Sequence, residues 1–546
     1  MPRRSETFRV PSSTILRMTG ILRSMLTISA ATVISRATGY LRIAAMAAVL
    51  GSTIVADAYA VAALLPTLIY ELLIGGILYS IFIPVLVERR TNHGEEDAQR
   101  LTNALFTVVS PLLLVMTVAG ILLARPLVEL ATAWGAAAQL SPGEAERATD
   151  LAVLLFRIFA LQILFYGVTT IGTGVLQAHR RFFLPTFAPA LNNLIIVASF
   201  VAYAFLNDSN PAFAIYVLAG GVTLGVAVMA LVLVPTMLGL GYVPRPQWGH
   251  PALMQTVRLA GPMVVLVAAS VGFQLFGTFM ATQFKAAALL GYAFAIFSLP
   301  YGIFVVAIAT ALMPELSEKH SREDLVGYRD TFSFGLRVMS FVVVPSMVAL
   351  VALAEPMVGL LYERLNFDAQ DTQRVAALLA AYSIGLLGYS AYFFFVRAFY
   401  SLQNTMTPAT LNVLILAVYV VLVYALAETF GAIGIPLALS ITYSILALLA
   451  LAAMRREIKW IDGRQLLRSL AKILLAGVIM YAVSQAGTIL LGTGAGALGR
   501  ALIIVTVGGT SLAAYLGAAF LLKAEEISWA ATLLRRRIGR KPSLED

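Results

Sequence analysis

Two arginines stand in the first long apolar run of the chain, where VISRATGYLRIAAM (33–46) carries Arg36 and Arg42. From Met25 to Leu50 the run otherwise holds nothing more polar than Ser, Thr and Tyr. A guanidinium in hydrocarbon costs roughly 2.5–3.5 kcal/mol on insertion scales, so buried cations face a partner or a wet cavity. Arginine keeps its charge at any accessible pH, and its planar fork grips a phosphate through two hydrogen bonds. Two chemistries are therefore open. Either Arg36 and Arg42 pair with Asp57 or Glu71 of the next apolar run, or they are left free to hold a passing anion. Lys285 and Arg397, near the ends of later runs, are further candidate cations. All six are expected to contribute to a substrate-binding site.

The arginines lie roughly 16 and 26 Å along an ideal helix from Met25, and about 120° apart around it. For both to face one cavity the helix must bend, and Gly39 between them offers the place.

Other chemistry is thinly represented. The chain has no cysteine, which excludes disulfides, thiolate metal sites and thiol nucleophiles. His93, His179, His250 and His320 all fall in hydrophilic connections and read as solvated loop residues. The acidic run Glu95, Glu96 and Asp97 lacks metal-ligand spacing. No cofactor or metal is expected, and the chain reads as a transporter and not an enzyme.

The elements that carry these residues follow from composition. Of 546 residues, 60% are hydrophobic and only 12% charged, and the mean hydropathy is +0.87. A soluble chain would be about a quarter charged. Apolar runs of about 20 residues, each able to cross a bilayer core of roughly 30 Å, recur along the length. They number about fourteen, the first at 24–50 and the last at 500–522, with the seventh and eighth separated only by Thr282 to Lys285. The fold class is an all-α integral membrane protein.

Lys and Arg cluster in alternate connections, as in Arg89, Arg90 and Arg100, or Arg180 and Arg181, while SPGEAERATD (141–150) and NFDAQD (366–371) oppose them. The positive-inside rule then puts both termini in the cytoplasm. The net charge of +10 reflects this asymmetry and anionic lipid, and gives no reason to invoke nucleic acid.

The spans are also doubled. IPVLVERR (83–90) and MPELSEKH (313–320) share P-x-L-x-E through Pro84 and Glu88, and Pro314 and Glu318, each before a charged loop. A weaker echo joins LQAHRRFFLPTFAPALNN (176–193) to LQNTMTPATLN (402–412). An even offset of six spans gives parallel repeats, which commonly flank a transport site near the midplane. The expected organisation is a basic tail (1–23), an N-lobe (24–238), a C-lobe (253–454), two surplus spans (466–522) and a basic tail (523–546).

ISRATGYLRIAAMAAVLGSTIVADAYAVAALLPTLIYELLIGGILYSIFIPVLVE (34–88) resembles the N-terminal signature of the bacterial MurJ/MviN lipid II flippases: S-R-x-x-G-[FY]-x-R, A-D-A-[FY], L-P-x-L and F-x-P-[VI]-L. FYSLQNTMTPATLN (399–412) is similar to that family's Y-[AS]-x-Q-[DN]-x-x-T-P segment. The resemblance implies the fold of the multidrug/oligosaccharidyl-lipid/polysaccharide exporter superfamily, two six-helix lobes with two extra helices forming a groove for a lipid tail. It implies movement of lipid II, an undecaprenyl-pyrophosphate-linked peptidoglycan precursor, from the inner to the outer leaflet of the bacterial cytoplasmic membrane by alternating access. Membrane lipids and the cell-wall synthesis machinery would be its partners. Arg36 and Arg42 match the motif's two arginines and Asp57 its acidic partner. The chain departs from the family at Tyr70 and Glu71, where a basic pair is common, and at AIFSLPYG (295–302), which lacks the usual arginine. Lys285 or Arg397 would have to replace those charges. The alternative is an exporter of another lipid-linked oligosaccharide or of drugs in the same superfamily.

Overall fold

The computed structural model describes residues 12–71, 73, 82–136, 140–252, 271–459 and 463–527. Parts of four expected segments lie outside the described residues: the start of the N-terminal tail, 74–81 of the second span, 253–270 of the seventh, and the end of the C-terminal tail. Among the described residues every regular element is a helix and no strand occurs.

Eleven helices among the described residues are long and apolar enough to cross a membrane, or twelve with one bent pair. The expected count of about fourteen is not reached on those criteria, for two reasons. The apolar stretch Met406–Glu457 passes as one span, although Gly431–Ile433 breaks it into α18 (Met406–Phe430) and α19 (Gly434–Glu457). Gly431 sits at φ +61°, a left-handed conformation that costs glycine little. The seventh run is described only as the short helix α11 (Val271–Thr282).

The chain divides into two compact units. The first takes residues 1–46, 62–127 and 152–267. Its elements are most of α1 (Ser12–Leu50), the second half of α2 (Ile54–Glu71), α3 (Ile83–His93) and α4 (Glu95–Leu122), followed by the end of α6 (Pro142–Phe159) from Ala152 on, α7 (Gln162–Ala178), α8 (Phe183–Asn207), α9 (Pro211–Leu231) and α10 (Val234–Gly239). Its core joins Phe82 and Leu86 to Leu101, Val175, Leu176 and Leu233, all buried. Local chemistry sets the boundaries. Asn210 caps α9 by accepting from Phe213 N, with Pro211 filling the first helical position.

The second unit takes 47–61, 128–151 and 268–546. It holds the α1–α2 turn, the second half of α5 (Ala124–Ala131), α6 up to Leu151, and α11, α12 (Ala287–Pro300), α13 (Val306–Ser321), α14 (Leu325–Ala352), α15 (Ala354–Tyr362), α16 (Ala369–Ile384) and α17 (Leu386–Ser401). After α18 and α19 come α20 (Gly463–Leu491) and α21 (Gly496–Leu521). A π-helical turn, Tyr301–Val305, joins α12 to α13. A 47° bend separates α16 from α17. Asp324 and Asp368 cap α14 and α16 through Gly327 N and Asp371 N.

Candidate substrate-binding site

The membrane-length part of α1 is Ala30–Leu50, about 30 Å of helix. Arg36 sits one to two turns inside one end and Arg42 near mid-depth. Helical structure runs unbroken through Gly39, where a bend was expected. Arg36 is exposed and Arg42 half-buried, as six residues on a regular helix require. Among the described residues neither has an ion pair or a side-chain hydrogen bond.

The backbone between them is held from α8. Asn193 Nδ2, buried, donates to Ser35 O at 3.4 Å and to Thr38 Oγ1 at 3.3 Å. Thr38 donates back to Ile34 O and Ser35 O. The segment bearing both cations is thereby fixed in rotation while the guanidiniums stay unneutralised. Sequence reading missed Asn193, although it ends the very stretch whose internal echo was visible.

Asp57 occupies the second unit and is 3% exposed. Its Oδ1 accepts from Ala288 N at 2.8 Å. Ala286, before α12, has no capping side chain, so Asp57 serves that helix N-terminus from across the sequence. The same turn is secured elsewhere. Asn366 N donates to Ala48 O at 3.0 Å, its Nδ2 to Val49 O at 2.7 Å, and Tyr292 Oη to Gly51 O at 3.2 Å. Gly51 has φ +57°, and a Cβ there would meet Asn366 O at 2.3 Å. Asp57 thus has a structural post, and the expected acidic partner of an arginine is engaged as a helix cap.

Glu71 closes α2 and is exposed. Lys285 lies in the turn between α11 and α12 with φ +50°, and its carbonyl accepts from Arg374 at 3.3 Å. Arg397 is half-buried on α17, its guanidinium 5.2 Å from the Phe393 ring centroid. Phe393 and Tyr389 in turn pack on Tyr301 of the π-helical turn at 5.0 and 4.9 Å. Arg397 therefore belongs to an aromatic wall beside SLPYG (298–302), the stretch that lacks its own charge, whereas Lys285 belongs to an inter-helix turn.

Two histidines expected to be solvated are not. His179 and His250 side chains are 10% and 4% exposed, bonded to Glu95 at 2.8 Å and to Asp97 at 3.3 Å. Tyr242 Oη also donates to Glu95 at 2.8 Å, and Arg245 N and Gln247 N bond Asn103 and Thr107. Burial and that carboxylate push the Tyr242 hydroxyl pKa well above its usual value. The connection 242–250 is thus strapped along α4. No group of three His, Cys, Asp or Glu able to hold a metal occurs among the described residues.

A membrane bundle with two helical units, broken spans and uncompensated membrane arginines fits the architecture of a membrane transporter. Solved structures share this fold. "Lipid II flippase MurJ, inward closed conformation" aligns with TM-score 0.74 over 94% of this chain and all of that one, at 21% identity. An inward-facing multidrug resistance MATE transporter of the MOP superfamily aligns with TM-score 0.62 over 77% of this chain and 94% of its own, at 13% identity. The family profile described as "Lipid II flippase MurJ" matches residues 46–506. The "Lipid II flippase MurJ" of Burkholderia cenocepacia is 29% identical over 446 residues, 80% of this chain and 84% of that protein. The chain belongs to the lipid II flippase MurJ family. The profile match begins just after Arg42, so the two arginines stand upstream of it.

Proposed function

We propose that this protein translocates lipid II across the bacterial cytoplasmic membrane by alternating access, delivering precursor for cell-wall synthesis. Family membership supports the substrate. The observation that carries the mechanism is Arg42, half-buried near mid-depth of a membrane helix with no counter-charge among the described residues. A diphosphate supplies the missing charge, and the guanidinium fork matches its oxygens. Arg36, one to two turns nearer the helix end, takes the group before or after Arg42. Glu71 and Lys285 contribute to the surrounding field. Arg397, beside the uncharged SLPYG stretch, contributes the cation of the second repeat, its guanidinium backed by Phe393. Asp57 acts by holding α12 and not by touching substrate. The reaction is transport without bond cleavage. Spans 1–6 and 7–12 act as the two lobes, α20 and α21 carry the lipid tail, and both termini face the cytoplasm.

The test is a reconstituted flipping assay in liposomes comparing lipid II with another undecaprenyl-pyrophosphate sugar. Lipid II is expected to move faster, and Arg42→Ala to abolish movement while the protein remains folded. Wild-type rates in Arg42→Ala would overturn the mechanism. Preference for the other sugar would overturn the substrate.

A further inference from the structure

At the basic end of α20 the second unit contains a cavity of about 350 Å³, lined by Arg464, Gln465, Arg468, Ser469, Lys472 and Glu525. Its acids are already engaged. Glu525 pairs with Arg337 and accepts from Gln465 at 3.2 Å. Glu526 behind it accepts from Ser469 Oγ at 2.7 Å and lies 3.8 Å from Arg337. Lys472 is aimed by its bond to Lys523 O at 3.0 Å. Arg464 and Arg468 have no carboxylate partner among the described residues. The cavity therefore presents surplus positive charge with two hydrogen-bonding neutral groups.

The same helix face decides what would fill it. Positions 464, 468, 471, 475, 478 and 482 follow i+3 and i+4 steps along one stripe, and all are exposed. The stripe begins with Arg464 and Arg468 and continues as Ala471, Leu475, Val478 and Ala482. A free anion would satisfy only its start. A phosphate carrying acyl chains satisfies the whole length, and basic pockets between membrane helices bind anionic headgroups. We propose that this cavity is a binding site for the phosphodiester headgroup of an anionic phospholipid, whose acyl chains lie along Leu475 and Val478. The positive-inside reading places it in the cytoplasmic leaflet.

The competing explanation is a diffuse basic boundary, since interfacial arginines snorkel on many membrane helices. The experiment separates the two with matched charge loss. The full chain is placed in nanodiscs of phosphatidylcholine with or without phosphatidylglycerol, and lipid retained on detergent extraction is quantified by native mass spectrometry. Arg464→Gln/Arg468→Gln is compared with Arg455→Gln/Arg456→Gln, which removes two exposed charges at the end of α19. At about one interaction of 1 kcal/mol per cation, the first pair is expected to weaken phosphatidylglycerol retention roughly thirty-fold. The second pair and inorganic phosphate should leave it nearly unchanged. Equal loss in both pairs, no loss in the first, equal retention of phosphatidylcholine, or displacement by inorganic phosphate would each overturn the site. Unchanged thermal unfolding of the first pair confirms that binding, not folding, was altered.

Discussion

Asp57 and Ala288 are joined by a 2.8 Å hydrogen bond from the Ala288 amide to a carboxylate that is 3% exposed. A carboxylate at a helix N-terminus satisfies an orphan amide and opposes the positive end of the helix dipole. The acid that looked like an arginine's counter-ion instead fixes where α12 begins, and α12 leads directly into the Tyr301–Val305 π-turn beside Arg397. π-helical turns inside membrane helices frequently mark functional positions. The cap and the aromatic wall are consequently parts of one supporting structure in the second unit.

This relationship gives the first prediction. Asp57→Ala removes the cap and is expected to destabilise the protein by about 0.5–2 kcal/mol, the usual range for a lost cap. Asp57→Asn keeps an oxygen acceptor and should stay close to wild type. Thermal unfolding of the purified protein reads both. Equal loss in Asn and Ala would show that the charge, not the cap, is what matters.

A second prediction concerns Arg42. Arg42→Lys keeps the charge but replaces a planar fork by a point charge. Flipping is expected to fall by roughly tenfold, from the loss of one charge-assisted hydrogen bond of about 1.5 kcal/mol. Arg42→Gln should give no transport. If Lys and Gln were equally inactive, geometry alone would be decisive; if Lys were fully active, the bidentate grip would be wrong.

Asn193 supports the third. Asn193→Ala removes the two donations to Ser35 O and Thr38 Oγ1, while Thr38 keeps its bonds within α1. The net stability loss should be about 1 kcal/mol. Hydrogen exchange in the peptide spanning residues 34–42 should rise, with α20 and α21 unaffected. Unchanged exchange there would show that α1 holds its orientation without α8.

Much of this was readable from the chain and some was not. The apolar runs and the cationic pair in α1 are local signals, and they mark membrane spans and the presence of two cations in one of them, while leaving open whether those cations are paired. The P-x-L-x-E echo was also visible, and both copies lie in helices, Pro84 in α3 and Pro314 in α13. The capping bond of Asp57 could not be read from the sequence, because its amide partner is a backbone group 231 positions away, and backbone donors carry no side-chain signature. The same holds for His179 and His250. A histidine in a hydrophilic connection looks solvated until folding brings Glu95 and Asp97 against it. Periodicity reports which face is apolar; it does not report which distant polar atoms that face will meet.

The last prediction is a pH dependence. Glu363 follows α15 and bonds Arg500 of α21 at 2.6 Å, while Thr372 donates to its other oxygen at 2.7 Å. Burial raises its pKa, but the arginine and the hydroxyl together outweigh burial and hold it below the ordinary carboxylate value. A carboxyl with a depressed folded-state pKa adds stability above its unfolded value of about 4.3, and that stability disappears as pH falls through the lower folded value. The wild-type protein should therefore lose stability between about pH 5 and the folded pKa more steeply than Glu363→Gln, which cannot titrate. Glu363→Gln should be the less stable of the two near pH 7, where the ion pair to Arg500 is intact in wild type, and the two should converge in acid. Thermal unfolding across that range measures the difference. Parallel curves would show that the α15–α21 pair contributes nothing beyond its hydrogen bonds.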